Sequence, residues 1–213
     1  MTLLRIDSSI QGDNSASSAL ADQVVDQFRN DRPDETVVSR HLAQQPLPAD
    51  AWPTAIGASF TPAESRSPEQ VAALELAQTI AGELRSADVA VLALPLYNWG
   101  VSQHVKTWID LAIAGAESPA EKLLDGTPTV LLTTRGGSYA PGTPKEGWDH
   151  NIAYLQRVLA EVWGADLTVI ERELTLAGVN PALDAFVEEA SLMKKTAEEA
   201  AVAAGRDLAG VGR

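Results

Sequence analysis

Three short segments of this chain carry residue types that could do chemistry. The first, Asp7-Ser8-Ser9-Ile10-Gln11-Gly12-Asp13-Asn14-Ser15-Ala16-Ser17-Ser18, holds five serines and runs into a stretch of helical spacing. A helix start offers N–H groups with no intrahelical partner and the positive end of the dipole, so it attracts an anion. A favourable charge there is worth about 0.3–1 kcal/mol, and up to ~2 when partly buried. Hydroxyls at Ser9, Ser15 and Ser17 could complete a phosphate cradle without any cation, although serines also simply cap helices and fill turns. The second segment is Pro95-Leu96-Tyr97-Asn98-Trp99-Gly100, directly after the most apolar run of the chain. Two aromatic rings and an amide there suit a planar heteroaromatic ligand, and equally suit core packing followed by a turn. The third is Thr133-Thr134-Arg135-Gly136-Gly137-Ser138, whose paired glycines let the backbone approach a flat ligand but also make ordinary turns.

Other chemistries are missing. The 213 residues contain no cysteine, which excludes disulfides, thiolate zinc, iron–sulfur clusters and a cysteine nucleophile, and fits a reducing compartment. No G-x-x-x-x-G-K-[ST], G-x-G-x-x-G or G-x-S-x-G stretch occurs. His41, His104 and His150 are scattered, with no pair at i, i+4 to seed a metal site. The strand ending Leu94-Pro95-Leu96 lacks the acidic cluster of a response regulator. Sixteen Lys and Arg against 29 Asp and Glu give a net charge of −13, which argues against nucleic acid or an anionic membrane as partner. The longest apolar run, residues 89–96, is far short of the ~20 residues of a membrane span. Asp7 interrupts the N-terminus too early for a signal peptide, so a soluble cytoplasmic protein is expected.

The elements that must position these segments follow from the hydrophobic pattern. Apolar runs at 3–6, 36–39, 89–94, 129–133 and 167–170 predict strands, three of them apolar enough to be covered on both faces. Helical spacing occupies 17–30, 103–114, 149–163 and 181–204. Ser67-Pro68-Glu69-Gln70 predicts a fifth helix start, with a cap, a proline at the first position and a capping-box glutamine, running to about Ser86. Residues 43–67 and 135–148 read as long loops, and 205–213 as a fraying tail. Five strands alternating with five helices predict an α/β fold with an open, parallel, doubly wound sheet. With strand order 2-1-3-4-5, ligands bind beyond the carboxyl ends where the winding reverses, which selects the loops after strands 1, 3 and 4. Those loops are the three segments above.

In that order, Ser8-Ser9 with Ser15-Ala16-Ser17, Pro95-Leu96-Tyr97-Asn98-Trp99 and Thr134-Arg135-Gly136-Gly137 resemble the phosphate loop, ring-holding loop and Ser-Arg-Gly-Gly turn of the flavodoxin-like, FMN-dependent NADH:quinone oxidoreductases, also called azoreductases. The resemblance covers nearly the whole chain. It implies one flavodoxin-like, FMN-binding domain over 1–213, a three-layer sandwich, with Ser9, Ser15, Ala16, Ser17, Leu96, Tyr97, Asn98, Trp99, Thr134, Arg135, Gly136 and Gly137 around the cofactor. It further implies NADH or NADPH as co-substrate, a quinone or aromatic azo compound as acceptor, and a homodimer whose pockets are each roofed by the partner. The chain departs from the family at residues 115–126, a short connection without aromatics where relatives carry an aromatic-rich hairpin, and at Trp99, usually a phenylalanine.

The implied chemistry is a ping-pong pair of hydride transfers, in which the cofactor does the chemistry and the protein supplies position and electrostatics. No side chain is needed as an essential acid or base, so no catalytic residue is assigned. Backbone N–H groups of Asn98, Gly136 and Gly137 are the expected donors to the reduced ring. Two alternatives belong to other classes. A flavin-binding electron carrier or redox sensor would turn over little NADH, and a serine hydrolase built on Asp7-Ser8 would need a histidine that residues 181–213 lack.

Overall fold

The computed structural model describes residues 1–212. Five parallel strands form one sheet of order β2-β1-β3-β4-β5: β1 (Thr2–Asp7), β2 (Thr36–His41), β3 (Val89–Ala93), β4 (Pro128–Thr134) and β5 (Asp166–Arg172). The register runs without a bulge, with Ile6 opposite Leu92 and Leu92 opposite Leu131. The predicted architecture therefore holds, and strand ends shift by a few residues at most. Central β3 is buried along its whole length, and alternate residues feed two separate cores. Val89, Val91 and Ala93 pack with Leu20, Val24 and Phe28 of α1 (Ala16–Asp31) and with Ala197, Ala201 and Leu208 of α6 (Val187–Gly210). Ala90 and Leu92 point the other way, towards α3 (Pro68–Arg85), α4 (Gln103–Ala114) and α5 (Ile152–Gln156). There Trp108 and Trp163 meet edge to face, with ring centroids 5.4 Å apart.

The local signals act as expected at α3. Ser67 accepts the Gln70 N–H and the Gln70 side chain accepts the Ser67 N–H, closing the capping box ahead of Pro68. Three expectations need correction. The presumed loop at 43–67 contains a helix, α2 (Ala51–Ser59), whose Ala51, Ala55 and Ala58 are buried; Pro53 sits in its first turn, where a missing N–H costs nothing. The stretch 149–163 begins as α5 but continues as a π-helical turn over Arg157–Val162, closed by Trp163 N–H to the Val158 carbonyl. The tail does not fray. α6 runs to Gly210 with Gly205, Leu208 and Ala209 buried, and Arg32 donates to the carbonyls of Ala209 and Val211. Arg213 lies outside the described residues.

The α4 face of Val105, Trp108, Ile109 and Ala112 is consumed by the chain's own core. Among the described residues no helix is long and apolar enough to cross a membrane.

Candidate functional site

All five strands point the same way, so their carboxyl ends open on one edge of the sheet. There a cavity of about 680 Å³ is lined by residues from four loops. Ser9, Gln11, Asn14 and Ala16 come from the loop after β1, Pro95, Leu96 and Tyr97 from that after β3, Thr134 and Gly136 from the end of β4, and Thr175, Leu176 and Val179 from the loop after β5.

At the β1 end, Ser15 caps α1 by accepting the Ser18 N–H at 3.1 Å, and its hydroxyl lies 3.2 Å from that of Ser17. Both serines are buried beneath the cavity floor, so the capping role of serine is realised here. The N–H groups of Ala16 and Ser17 donate to no protein acceptor among the described residues, which leaves the positive end of the α1 dipole open to an anion. The Tyr97 hydroxyl accepts the Ile10 N–H at 3.0 Å and lies 3.1 Å from Ser9 Oγ, which itself accepts the Gln11 N–H at 3.2 Å. One phenol thus ties the first two segments together.

Residues Tyr97–Gly100 form a tight turn in which the N–H of each end residue meets the carbonyl of the other, at 3.1 and 3.0 Å. Its central residues Asn98 and Trp99 both have positive φ, 47° and 67°. Asn tolerates this region, whereas a tryptophan there is a real outlier that costs of order 1–3 kcal/mol and persists only when neighbours over-determine it. The neighbours are visible: the Trp99 carbonyl accepts the His150 N–H at 2.9 Å, and the Trp99 ring meets Trp148 edge to face at 6.0 Å.

The third segment divides. The N–H groups of Gly136 and Gly137 have no protein acceptor among the described residues, while their carbonyls accept Leu176 N–H and Leu174 N–H at 3.1 and 3.3 Å. Arg135, by contrast, turns its side chain away from the cavity and is only 7% exposed. Its guanidinium meets Asp149 at 2.5 Å, Glu171 at 2.7 Å and Glu173 at 3.0 Å. Burial works against its charge, but Asp149 and Glu171 outweigh this and hold its pKa above the ordinary arginine value. Glu173 also accepts from Ser138 Oγ and Tyr139 N–H, so one buried cation fastens the ends of β4 and β5 to the loop between them. Burial, reinforced by Asp149, raises the Tyr139 pKa. Behind the turn, buried Asn151 donates to Thr133 Oγ1 and to the Leu94 carbonyl, and its own Oδ1 finds no partner.

Of the twelve residues selected from sequence, Ser9, Ala16, Leu96, Tyr97, Thr134 and Gly136 line the cavity directly. Asn98 and Trp99 line a second cavity, of about 520 Å³, beside it. Ser15, Ser17, Arg135 and Gly137 support the walls rather than form them. Sequence gave no sign of Thr175, Leu176 and Val179. The available signal was positional only: β5 is parallel to the rest, so its carboxyl end opens on the same edge.

Fold and site together define a flavodoxin-like protein, and a family model described as "Flavodoxin-like fold" matches residues 1–198. The "FMN-dependent NADH:quinone oxidoreductase" of Frankia alni is 40% identical over 190 residues, covering 87% of this chain and 90% of its own length. That of Streptomyces avermitilis is 36% identical over 214 residues, covering 98% and 97%. The chain belongs to this flavodoxin-like family of FMN-dependent NADH:quinone oxidoreductases. In fold it is similar to the crystal structure of an azoreductase from Bacillus anthracis (TM-score 0.77, 20% identity, 97% of this chain and 99% of that one). A second Bacillus anthracis structure, an FMN-dependent NADH-azoreductase in complex with FMN, superposes with TM-score 0.70 at 19% identity, covering 94% and 97%.

Proposed function

We propose that this chain is an FMN-dependent NAD(P)H oxidoreductase that reduces quinones and aromatic azo compounds, with residues 1–213 acting as one flavodoxin-like domain. The observation that carries the reading is a cavity with an unused N–H at each of two walls, that of Ala16 and that of Gly136, each followed in the chain by a second unused N–H, that of Ser17 and that of Gly137. Such donors fit a ligand with an anionic end and a hydrogen-bonding flat end, which is the shape of FMN. In this reading Ala16 and Ser17 hold the phosphate with the α1 dipole, and the Ser9 hydroxyl adds a donor. Leu96 and Tyr97 flank the ring, and the Gly136 and Gly137 N–H groups meet the negative charge that a reduced ring carries. Pro95 and Leu176 give the walls apolar surface against which a flat ring can pack. Arg135 acts at one remove, by fixing the glycine turn.

The chemistry that bound FMN supplies is two-electron hydride transfer, from a reduced nicotinamide to a quinone or azo bond. Because no buried acid or base faces the cavity, protons come from solvent, and steady-state kinetics follow a ping-pong scheme with parallel double-reciprocal lines. A homodimer fits the exposed apolar side chains of Val179, on the cavity wall, and of Leu192, on α6, which are 75% and 66% exposed, and sedimentation or light scattering reads it directly. A cytoplasmic location accords with this reading, since the co-substrate is a reduced nicotinamide.

The test is the visible spectrum of the purified protein after addition of FMN and desalting. Flavin bands that co-elute, and that bleach on adding NADH without air, are expected. A protein that stays colourless overturns the reading.

A further inference from the structure

Every side chain that lines the large cavity is uncharged, so an anion there meets no lining cation. Yet the residue that leads into the loop after β1 is a carboxylate. Asp7 closes β1, is only 5% exposed, and stands two residues before Ser9 on the cavity wall. Its backbone is held on both sides: the Leu42 N–H donates to the Asp7 carbonyl at 2.7 Å, and the Ser8 N–H to the Ala93 carbonyl at 3.1 Å. An extended chain spans at most ~3.6 Å per residue, so no more than about 7 Å of backbone separates Asp7 from Ser9. That is inside the ~8 Å screening length of physiological salt, and a buried charge is screened less than an exposed one. A phosphomonoester carries about −1.5 to −2 at pH 7, so Asp7 alone would repel it.

Arg5 balances that charge. Two residues earlier on β1, its Nε and Nη2 donate to the Asp7 carboxylate at 2.6 and 3.2 Å. Nη1 reaches Asp22 at 2.6 Å and Nη2 the Ser18 carbonyl at 3.4 Å, which sets the pair against the first turns of α1. Two-point hydrogen bonding of this kind is strong and fixed in geometry. Burial works against the Arg5 charge, but Asp7 and Asp22 outweigh this and hold its pKa above the ordinary arginine value. The Asp22 side chain is 59% exposed, where water screens it, so Arg5 chiefly balances Asp7. Asp13, in the loop itself, is exposed in the same way.

We infer that Arg5 sets a preference for FMN over riboflavin, by neutralising Asp7 so that the loop after β1 admits a phosphate. The inference rests on the flavin reading above and adds to it the residue that decides between the two flavins. Arg5 lines no part of the cavity and acts through Asp7.

In the experiment the full-length protein, freed of flavin, is titrated by calorimetry with FMN and, in parallel, with riboflavin, which has the same ring and no phosphate. Like charges about 10 Å apart at an effective dielectric constant of about 20 repel by enough to change a binding constant tenfold, so Arg5→Met should cut the FMN-to-riboflavin affinity ratio by about tenfold or more. Arg5→Lys keeps the charge and should hold the ratio within about threefold of wild type. The double variant Arg5→Met/Asp7→Asn should restore the ratio, because the unbalanced carboxylate is gone. Equal losses of both flavins in Arg5→Met, or a ratio that stays low in the double variant, make Arg5 a structural tie and overturn the inference. If Arg5→Met does not fold, Asp7→Asn alone carries the test: one carboxylate fewer beside the anion should raise the ratio by about threefold or more, and an unchanged ratio overturns the inference. A wild-type protein that binds both flavins equally overturns it too, while the ring site stands. A wild-type protein that binds neither counts against the proposed function instead.

Discussion

At the scale of single residues, Arg135 and the glycines beside it are separable. Arg135 is a buried cation shared by three carboxylates, and removing it leaves negative charges facing one another in a partly dry site. Arg135→Ala should therefore lower unfolding free energy by about 3–5 kcal/mol, measured by urea titration of the apoprotein. Lysine at the same place keeps the charge but not the fork, so it should restore only part of that loss. Gly137 is different. A Cβ there would meet nothing nearer than Lys145 Nζ at 3.6 Å, so the fold has room for a side chain. Gly137→Val should leave the protein folded, within about 1 kcal/mol of wild type, yet unable to retain FMN after desalting. Unchanged retention would remove the glycine turn from the binding site. At Gly136 a Cβ would come within 2.7 Å of Leu176 Cδ1, which makes that position a packing test rather than a binding test.

Among elements, the contact of α6 with α1 shows how a helix can be decided by its packing. Gly205 lies where a Cβ would approach the Val24 carbonyl to 2.5 Å and Gln27 Cβ to 2.8 Å, so the two helices touch backbone to side chain. Gly205→Ala should cost about 1–3 kcal/mol by overpacking, whereas Gly210→Ala, with nothing within 4 Å, should be neutral or slightly stabilising. Thermal melts of the pair read the contrast. This is also why the tail was misread as fraying: residues 205–213 carry three glycines and few large apolar groups, a weak local signal, yet small residues are what a close helix crossing requires. The helix inside 43–67 was hidden for a related reason. Its buried positions are alanines, and the prolines around it are the residues that mark loops.

For the whole molecule, the ionisation of partly buried phenols couples stability to pH. Burial raises the Tyr154 pKa, with Lys106 opposing and Asp110 reinforcing. A group with a raised folded-state pKa contributes fully below its unfolded value, about 10 for tyrosine, and that contribution is lost as pH rises through the folded value. The melting temperature should fall as pH climbs above about 10, and Tyr154→Phe should make the fall shallower. An unchanged slope would locate the alkaline sensitivity elsewhere. The net charge of −13 also opposes the approach of an anionic nicotinamide cofactor, so NADH KM should fall modestly as salt is raised from very low levels.

Short apolar runs, a capping box and apolar helix faces are local patterns, and local pattern sufficed for a doubly wound sheet; with the order 2-1-3-4-5 taken for it, an order the sheet adopts, the three loops at its switch edge followed. It sufficed because a parallel sheet covered on both faces forces near-continuous apolar strands and leaves little choice of topology. Half of the twelve chosen residues line the cavity directly, since loops at strand ends need only be placed, not shaped, by the sheet. The remainder depended on distant partners. Arg135 looked like a cofactor contact until Asp149, Glu171 and Glu173 closed around it, and Thr175, Leu176 and Val179 entered the cavity only because β5 lies beside β4. Where a side chain points is set by charges and walls brought together from far along the chain, and those meet only in the folded molecule.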